Sequence, residues 1–234
     1  MSKNALVLCS GGLDSVVTAH YVKKKLNYSS ITILFFNYGQ KSLEQERNSS
    51  KSCAKEINAE FIEIALPELA NLSTSLINTS GKINKIKKEN LKDTSEESKK
   101  WYVPCRNLIF LSYASALAES IFIKNKKKLD IFIGFKCEGK DSYPDTTKEF
   151  LKKINLLFSS SCSFQIKVFA PLIDKDKEDI IALGDNMDVY LEKTFSCYSP
   201  KKEIHCGFCL SCFLRKQGFY WANIKDRTEY FFKG

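Results

Sequence analysis

The apolar positions fall in short blocks separated by polar, helix-forming stretches. Ala5–Cys9 is a continuous apolar run closed by Ser10-Gly11-Gly12, as in a strand buried on both faces. From Ser15 onward, Val16, Val17, Ala19 and Val22, with His20 among them, predict a helix. A second strand is predicted over Ile31–Phe36, a polar helix from about Ser42 to Ile57, and a third strand over Phe61–Ile64. Arg106–Phe122 has sustained helical spacing, with Leu108, Leu111, Tyr113, Ala114 and Leu117 on its apolar positions. A strand at Asp130–Ile133 ends at Gly134. Lys148–Phe158 is predicted helical, Gln165–Phe169 extended and Lys177–Leu183 helical. Strands alternating with helices predict a parallel sheet with crossover helices.

Two stretches break the alternation. Pro67–Lys100 is rich in Lys, Asn, Ser and Glu and lacks sustained periodicity. It is long for a connection, so residues 67–100 are expected to form a mobile flap or insertion. The stretch Phe195–Arg215 holds four cysteines. The chain is therefore divided into an α/β domain over residues 1–190 and a small cysteine module over 191–234 packed on it.

Composition narrows the class. The 234 residues are 44% apolar and 27% charged, which fits a globular chain and excludes a disordered one. Ten Gly and five Pro exclude collagen-like repeats. The longest apolar stretches, Ile31–Phe36 and Leu108–Ala118, are too short to span a membrane. The apolar start is interrupted by Ser10-Gly11-Gly12 and Asp14, unlike a signal peptide. A cytoplasmic location with reduced thiols is the expectation. The nine cysteines then suggest metal ligands, nucleophiles or buried thiols. The 36 basic residues against 27 acidic ones give a net charge of +9. The lysines lie in separate runs without interleaved aromatics, which reads as solvated surface rather than a nucleic-acid stripe. A polyanionic small substrate would also suit such a chain.

Ser10-Gly11-Gly12-Leu13-Asp14-Ser15 lies between the first strand and the first helix. Adjacent glycines let successive N–H groups converge on an anion, and the helix aims its positive end at the same point. Ser10 and Ser15 add hydroxyl donors, and Asp14 would meet Mg²⁺ or fix the loop. The loop lacks the Gly-Lys-Ser/Thr ending of a Walker A loop and the three-glycine dinucleotide fingerprint.

Cys197, Cys206, Cys209 and Cys212 are spaced C-x8-C-x2-C-x2-C. Paired x2 spacings let cysteines curl round one tetrahedral Zn²⁺, and four protein ligands make the site structural. An iron–sulfur cluster is the alternative, but the ferredoxin run needs a further cysteine where this chain has Lys216. His205 could replace Cys197 as fourth ligand, although it abuts Cys206.

The string Ser10–Ser15 resembles the S-G-G-x-D-S signature of the PP-loop ATP pyrophosphatases, which cleave ATP between the α- and β-phosphates and adenylate an acceptor oxygen. Together with the cysteine cluster it resembles the QueC-type branch, the 7-cyano-7-deazaguanine synthases. Further segments carry the likeness: Phe36-Asn37-Tyr38-Gly39-Gln40, Tyr102–Asn107, Ser142–Asp145, Pro171–Lys177 and Thr194–Phe219. The resemblance implies a Rossmann-like, adenine nucleotide alpha hydrolase-like α/β sandwich with a parallel sheet and a small C-terminal zinc module. It implies ATP, Mg²⁺ and structural Zn²⁺ as cofactors, and often a homodimer. The implied reaction is adenylation of 7-carboxy-7-deazaguanine, then addition of ammonia to give the amide and the nitrile.

By the same resemblance, Leu8, Cys9, Ser10, Gly11, Gly12, Leu13, Asp14 and Ser15 form the ATP stretch. Ser10, Gly11, Gly12 and Ser15 hold the released pyrophosphate and Asp14 holds Mg²⁺. Arg106 and Lys177 neutralise phosphate or substrate carboxylate, while Asn107, Tyr143 and Asp145 read the base edge. The family pattern usually has Gly where Cys105 stands and His where Ser42 stands. A divergent paralogue joining the deazaguanine acid to a protein amine in antiviral defence is one alternative. A zinc-ribbon nucleic-acid-binding protein with a degenerate loop is the other.

Overall fold

The structure is a computed structural model that describes residues 3–81, 95–136 and 143–232. Its centre is a sheet of five strands: β1 (Asn4–Leu8), β2 (Ser30–Asn37), β3 (Glu60–Ala65), β4 (Asp130–Ile133) and β5 (Val168–Phe169). Their order across the sheet is β3-β2-β1-β4-β5, and each neighbouring pair is parallel. The helices are α1 (Leu13–Lys24), α2 (Leu43–Glu56), α3 (Pro67–Leu72), α4 (Ser95–Lys99), α5 (Arg106–Asn125), α6 (Lys148–Ser161), α7 (Lys177–Asp185) and α8 (Leu210–Trp221). Short 3₁₀ turns stand at Pro144–Thr146 and Leu191–Lys193. Among the described residues no helix is long and apolar enough to cross a membrane.

The unbroken apolar strands follow from burial on both faces. Ala5 and Val7 of β1 point into a layer with Val17, Cys53, Ile180 and Phe219, from α1, α2, α7 and α8. Leu6 and Leu8 point the other way, toward Leu111, Ala114 and Ala118 of α5 and Ile154 of α6. β2 alternates in the same manner, with Ile31 and Ile33 on the first side and Leu34 and Phe36 on the second. After β1 the chain steps outward to β2 and β3, and later strands fill the other side. β1 and β4 therefore flank a topological switch point, where a parallel sheet leaves a crevice beyond its strand ends.

Most predicted elements stand where the pattern places them, with three differences. β5 is only Val168–Phe169, shorter than Gln165–Phe169. The Asn155 side chain of α6 accepts from the Val168 amide and donates to its carbonyl, which closes that edge with a side chain instead of another strand. α8 carries the last cysteine and was not expected as a helix; the cysteine spacing masked its pattern.

The third difference concerns the expected flap. The described ends of residues 67–100 are packed. Leu69 and Ile77 are buried in the core beside Trp101. The Leu76 amide donates to Lys100 O at 2.9 Å, and Asn78 Nδ2 donates to Tyr38 O at 2.8 Å. Ser73 and Ser75 hydroxyls accept from the amides of Ser75 and Ile77, so short polar turns replace the missing periodicity. Residues 82–94 lie outside the described residues.

Two glycines fix the backbone around the crevice. Gly134, just past β4, has Asp14 C and Ser15 N only 3.0 Å from where a Cβ would sit, so the start of α1 rests on its backbone. Gly11 has φ +79°, and a Cβ there would meet the Glu46 carbonyl oxygen at 2.4 Å. Gly12 is extended, and a Cβ there would meet Ser10 Oγ at 3.3 Å and Phe195 O at 3.7 Å. Gly11→Ala should therefore cost about 2 kcal/mol or more through strain and displacement of α2. Gly12→Ala should cost less than about 1 kcal/mol. Urea unfolding midpoints of the two variants check this ranking.

Candidate functional site

A cavity of about 320 Å³ opens at the C-terminal ends of β1, β2 and β4, within the range of small-molecule sites. Leu8, Cys9, Ser10, Gly12, Leu13, Asp14 and Ser15 form one wall, and Arg106, Asn107 and Tyr143 another. Lys177, at the start of α7, also lines it. Most of the predicted phosphate loop and three of the four predicted substrate residues, Arg106, Asn107 and Tyr143, are thus brought to one cavity from segments far apart in sequence.

The loop is internally tied. Ser15 Oγ donates to Gly12 O at 2.9 Å and lies 3.3 Å from Ser10 Oγ, and the Gly12 amide points at Ser10 Oγ at 3.4 Å. The two hydroxyls are paired at the mouth of α1, where helix-end amides favour an anion. The loop is also clamped from outside. Gly11 O accepts from the Phe195 amide at 2.8 Å and from Ser49 Oγ at 2.8 Å. Ser49 Oγ is also 2.8 Å from Lys193 O, and Ser50 Oγ donates to Cys9 O at 2.9 Å. Gly11 shapes the loop without lining the cavity.

Asp14 and Lys177 meet across 163 residues of sequence. Lys177 Nζ lies 2.7 Å from both Asp14 oxygens. Both side chains keep partial exposure toward the cavity. Lys177 is held at its helix start by a capping box between Asp176 and Asp179. The two predicted charges therefore neutralise one another.

Arg106 opens α5, and Asn107 follows it. The Asn107 amide donates to Asp145 Oδ2 at 3.0 Å, and Asn107 Nδ2 approaches Asp145 O at 3.4 Å. Asp145 is buried behind Asn107 and does not line the cavity. Its geometry is that of a cap on the first turn of α5, not of a group facing a ligand. Tyr143 does line the cavity; its hydroxyl donates to Ser98 O at 2.8 Å and its ring stacks on Tyr102. Burial disfavours the Arg106 charge. Tyr38, Asp145 and Tyr198 facing it outweigh that and hold its pKa above the ordinary guanidinium value. Cys105 adopts φ 53° immediately before α5, the left-handed backbone region that glycine favours.

Sequence reasoning missed a cavity-lining carboxylate. Glu46 of α2 lines the same cavity, with Oε1 accepting from Ser42 Oγ at 2.6 Å and Oε2 from Gln40 Nε2 at 3.1 Å. Burial pushes its pKa up to about 7, against these two bonds and the Arg106 charge. The available signal was Ser42 and Glu46 four residues apart, one helical turn, just after Gln40. On a polar helix that pattern reads as surface.

The four cysteines converge as their spacing predicts. Cys197, Cys206, Cys209 and Cys212 are buried, with their sulfurs all within 4.8 Å of one another. Cys197 and Cys209 sulfurs are 4.0 Å apart, and Cys206 and Cys212 sulfurs 3.9 Å. One tetrahedral ion at about 2.3 Å bonds needs sulfurs about 3.8 Å apart, so the donor set fits a single metal ion. Amides of Ser199 and Cys206 point at Cys197 Sγ, and those of Phe208 and Cys209 at Cys206 Sγ. His205 is not in the cluster; its ring packs between Phe195 and Tyr230. Buried Arg215 of α8 ties the module down, donating to Thr228 Oγ1, Thr194 Oγ1 and Leu191 O.

Comparison with known proteins identifies the family. The family model described as "Queuosine biosynthesis protein QueC" matches residues 4–223. A 7-cyano-7-deazaguanine synthase of Nitratiruptor sp. is 40% identical over 230 residues, 97% of this chain and 98% of that protein. One from Methanobrevibacter smithii is 35% identical over 233 residues, 98% of this chain and 99% of that protein. The structure of a 4-thiouridine synthetase–RNA complex with bound ATP is similar with a TM-score of 0.48 at 16% identity, over 93% of this chain and 53% of that one. Matched by one family model from residue 4 to residue 223, and by such relatives along nearly its whole length, the chain belongs to the QueC family.

Proposed function

We propose that this protein uses ATP to adenylate the carboxylate of 7-carboxy-7-deazaguanine and transfers the activated acyl group to ammonia, as a 7-cyano-7-deazaguanine synthase. The observation that carries this reading is the shared cavity. It joins a phosphate loop without a Walker lysine to an arginine, an asparagine and a tyrosine on the opposite wall. A carboxylate is a poor electrophile, and an adenylate gives it a leaving group. A second adenylation, on the amide oxygen, would let the amide lose AMP and a proton to become the nitrile. The cyano product in the relatives' names favours ammonia over a protein amine as acceptor.

Each residue takes a role its surroundings allow. Ser10, Gly12 and Ser15 offer donors for the released pyrophosphate at the α1 terminus. Lys177 swings from Asp14 to phosphate oxygen. Arg106, kept charged, pairs with the substrate carboxylate. Asn107 and Tyr143 contact the base, and Asp145 orients Asn107 from behind. Asp14 would hold Mg²⁺, which supplies positive charge for the phosphate charge that develops. The cysteine cluster would hold Zn²⁺ as a structural ion. Sulfurs within 4.8 Å suit one ion and are too close to enclose a four-iron cage. The clamped loop also supports catalysis over a nucleic-acid-binding role, because a degenerate loop would not need Gly11 at a position where a Cβ clashes.

Asp14→Asn should keep the fold and cut turnover about a hundredfold or more, since it removes both the metal ligand and the partner of Lys177. Product analysis with labelled ATP and the deazaguanine acid checks it. AMP and pyrophosphate are the expected products, and ADP as first product, or full activity in the variant, counts against the mechanism. Metal analysis should find one zinc per chain. Cys206→Ala should lose the metal and become insoluble rather than only slower, since metal binding here is folding energy. A soluble, folded, metal-free variant would contradict this.

A further inference from the structure

Resting on the adenylation reading, we propose that Glu46 is the proton acceptor for the nitrogen nucleophile that attacks the acyl-adenylate. Glu46 is the cavity-lining carboxylate that α2 presents, and unlike Asp14 it has no lysine bound to it. Its oxygens are held by two neutral donors, Ser42 Oγ and Gln40 Nε2. Gln40 is itself fixed, donating to Phe36 O at 3.0 Å and accepting from the Tyr38 amide at 2.9 Å. α2 is packed closely on the phosphate loop, with the Glu46 carbonyl against Gly11 and Ser49 Oγ donating to Gly11 O. The carboxylate is thereby locked between the loop that handles ATP and the wall that carries Arg106.

The chemistry needs such a group. Ammonia attacks the carbonyl carbon and forms the C–N bond, and the nitrogen becomes positively charged. One proton passes from that nitrogen to the Glu46 carboxylate. The C–O bond to AMP then breaks, AMP leaves with the electron pair, and the amide remains. The charged and titratable groups facing this region are Arg106 of α5, Tyr38 after β2, and Asp145 and Tyr198 around Arg106. Tyr38 is pushed up to about 12 by burial, so it stays neutral. The Glu46 pKa of about 7 lets it accept a proton and release it again near neutrality.

The test separates the two half-reactions. Acid-dependent exchange of pyrophosphate into ATP, without ammonium, reads adenylation. Amide formation at constant free ammonia reads the nitrogen step. In the native protein that step should rise as pH increases through about 7, because only the ionised carboxylate accepts a proton. Glu46→Gln should keep exchange within about twofold, lose this pH rise and slow amide formation about a hundredfold. Ser42→Ala removes a donor that favours the ionised form, so it should keep exchange and move the midpoint to higher pH. Full-rate amide formation in Glu46→Gln overturns the proposal. A raised KM for the acid at unchanged kcat also overturns it, by making Glu46 a binding group. If the glutamine variant is insoluble, an unmoved midpoint in Ser42→Ala overturns it. Absence of exchange in the native protein overturns the adenylation reading, and this proposal with it.

Discussion

One backbone carbonyl joins the parts of this molecule. Gly11 O accepts from Ser49 of α2 and from the amide of Phe195, which leads into the cysteine module. The loop that follows β1 can take its tight left-handed turn only with glycine there, and α2 presses on it where a side chain would begin. Sheet, α2 and cysteine module therefore meet at the phosphate loop. The metal site is not an ornament at the far end of the chain. Its four sulfurs fix the segment that donates Phe195 to the loop, and Arg215 ties the same segment to Leu191 and Thr194.

Charge is arranged around that joint in opposed pairs. Asp14 and Lys177 hold each other across 163 residues of sequence. Arg106 is surrounded by Tyr38, Asp145 and Tyr198, which preserve its charge in spite of burial. Glu46 has only neutral donors on its oxygens and is poised near neutrality. On the proposed reading, the loop receives pyrophosphate, Arg106 holds the carboxylate and Glu46 takes a proton in successive steps of one carbon–nitrogen ligation.

The features legible from sequence were those whose chemistry is local. The apolar run Ala5–Cys9 and its glycine turn announce a strand and its turn into a helix within about ten residues. The C-x2-C-x2-C spacing specifies a metal site in the same way. What escaped depends on partners distant in sequence. Asp145 and Asn107 were both assigned to the base edge, yet Asp145 caps the first turn of the helix that carries Asn107, 38 residues away. The Asp14–Lys177 pair spans 163 residues. The packed ends of residues 67–100 rely on serine turns and a few buried apolar groups, Leu69 and Ile77, which leave no periodic trace. Glu46 and Ser49 look like solvated positions on a polar helix because the loop that covers them lies in another part of the chain.

The central claim is that the substrate carboxylate, and not a phosphate transferred from ATP, becomes joined to AMP. It is tested by supplying 7-carboxy-7-deazaguanine with ¹⁸O in the carboxylate, together with ATP and ammonium, and weighing the nucleotide and phosphate products by mass spectrometry. Attack of ammonia on an acyl-adenylate leaves one carboxylate oxygen on AMP, so AMP should carry ¹⁸O and pyrophosphate none. Label in inorganic phosphate with ADP as co-product, or unlabelled AMP alongside labelled product amide only, would contradict the account.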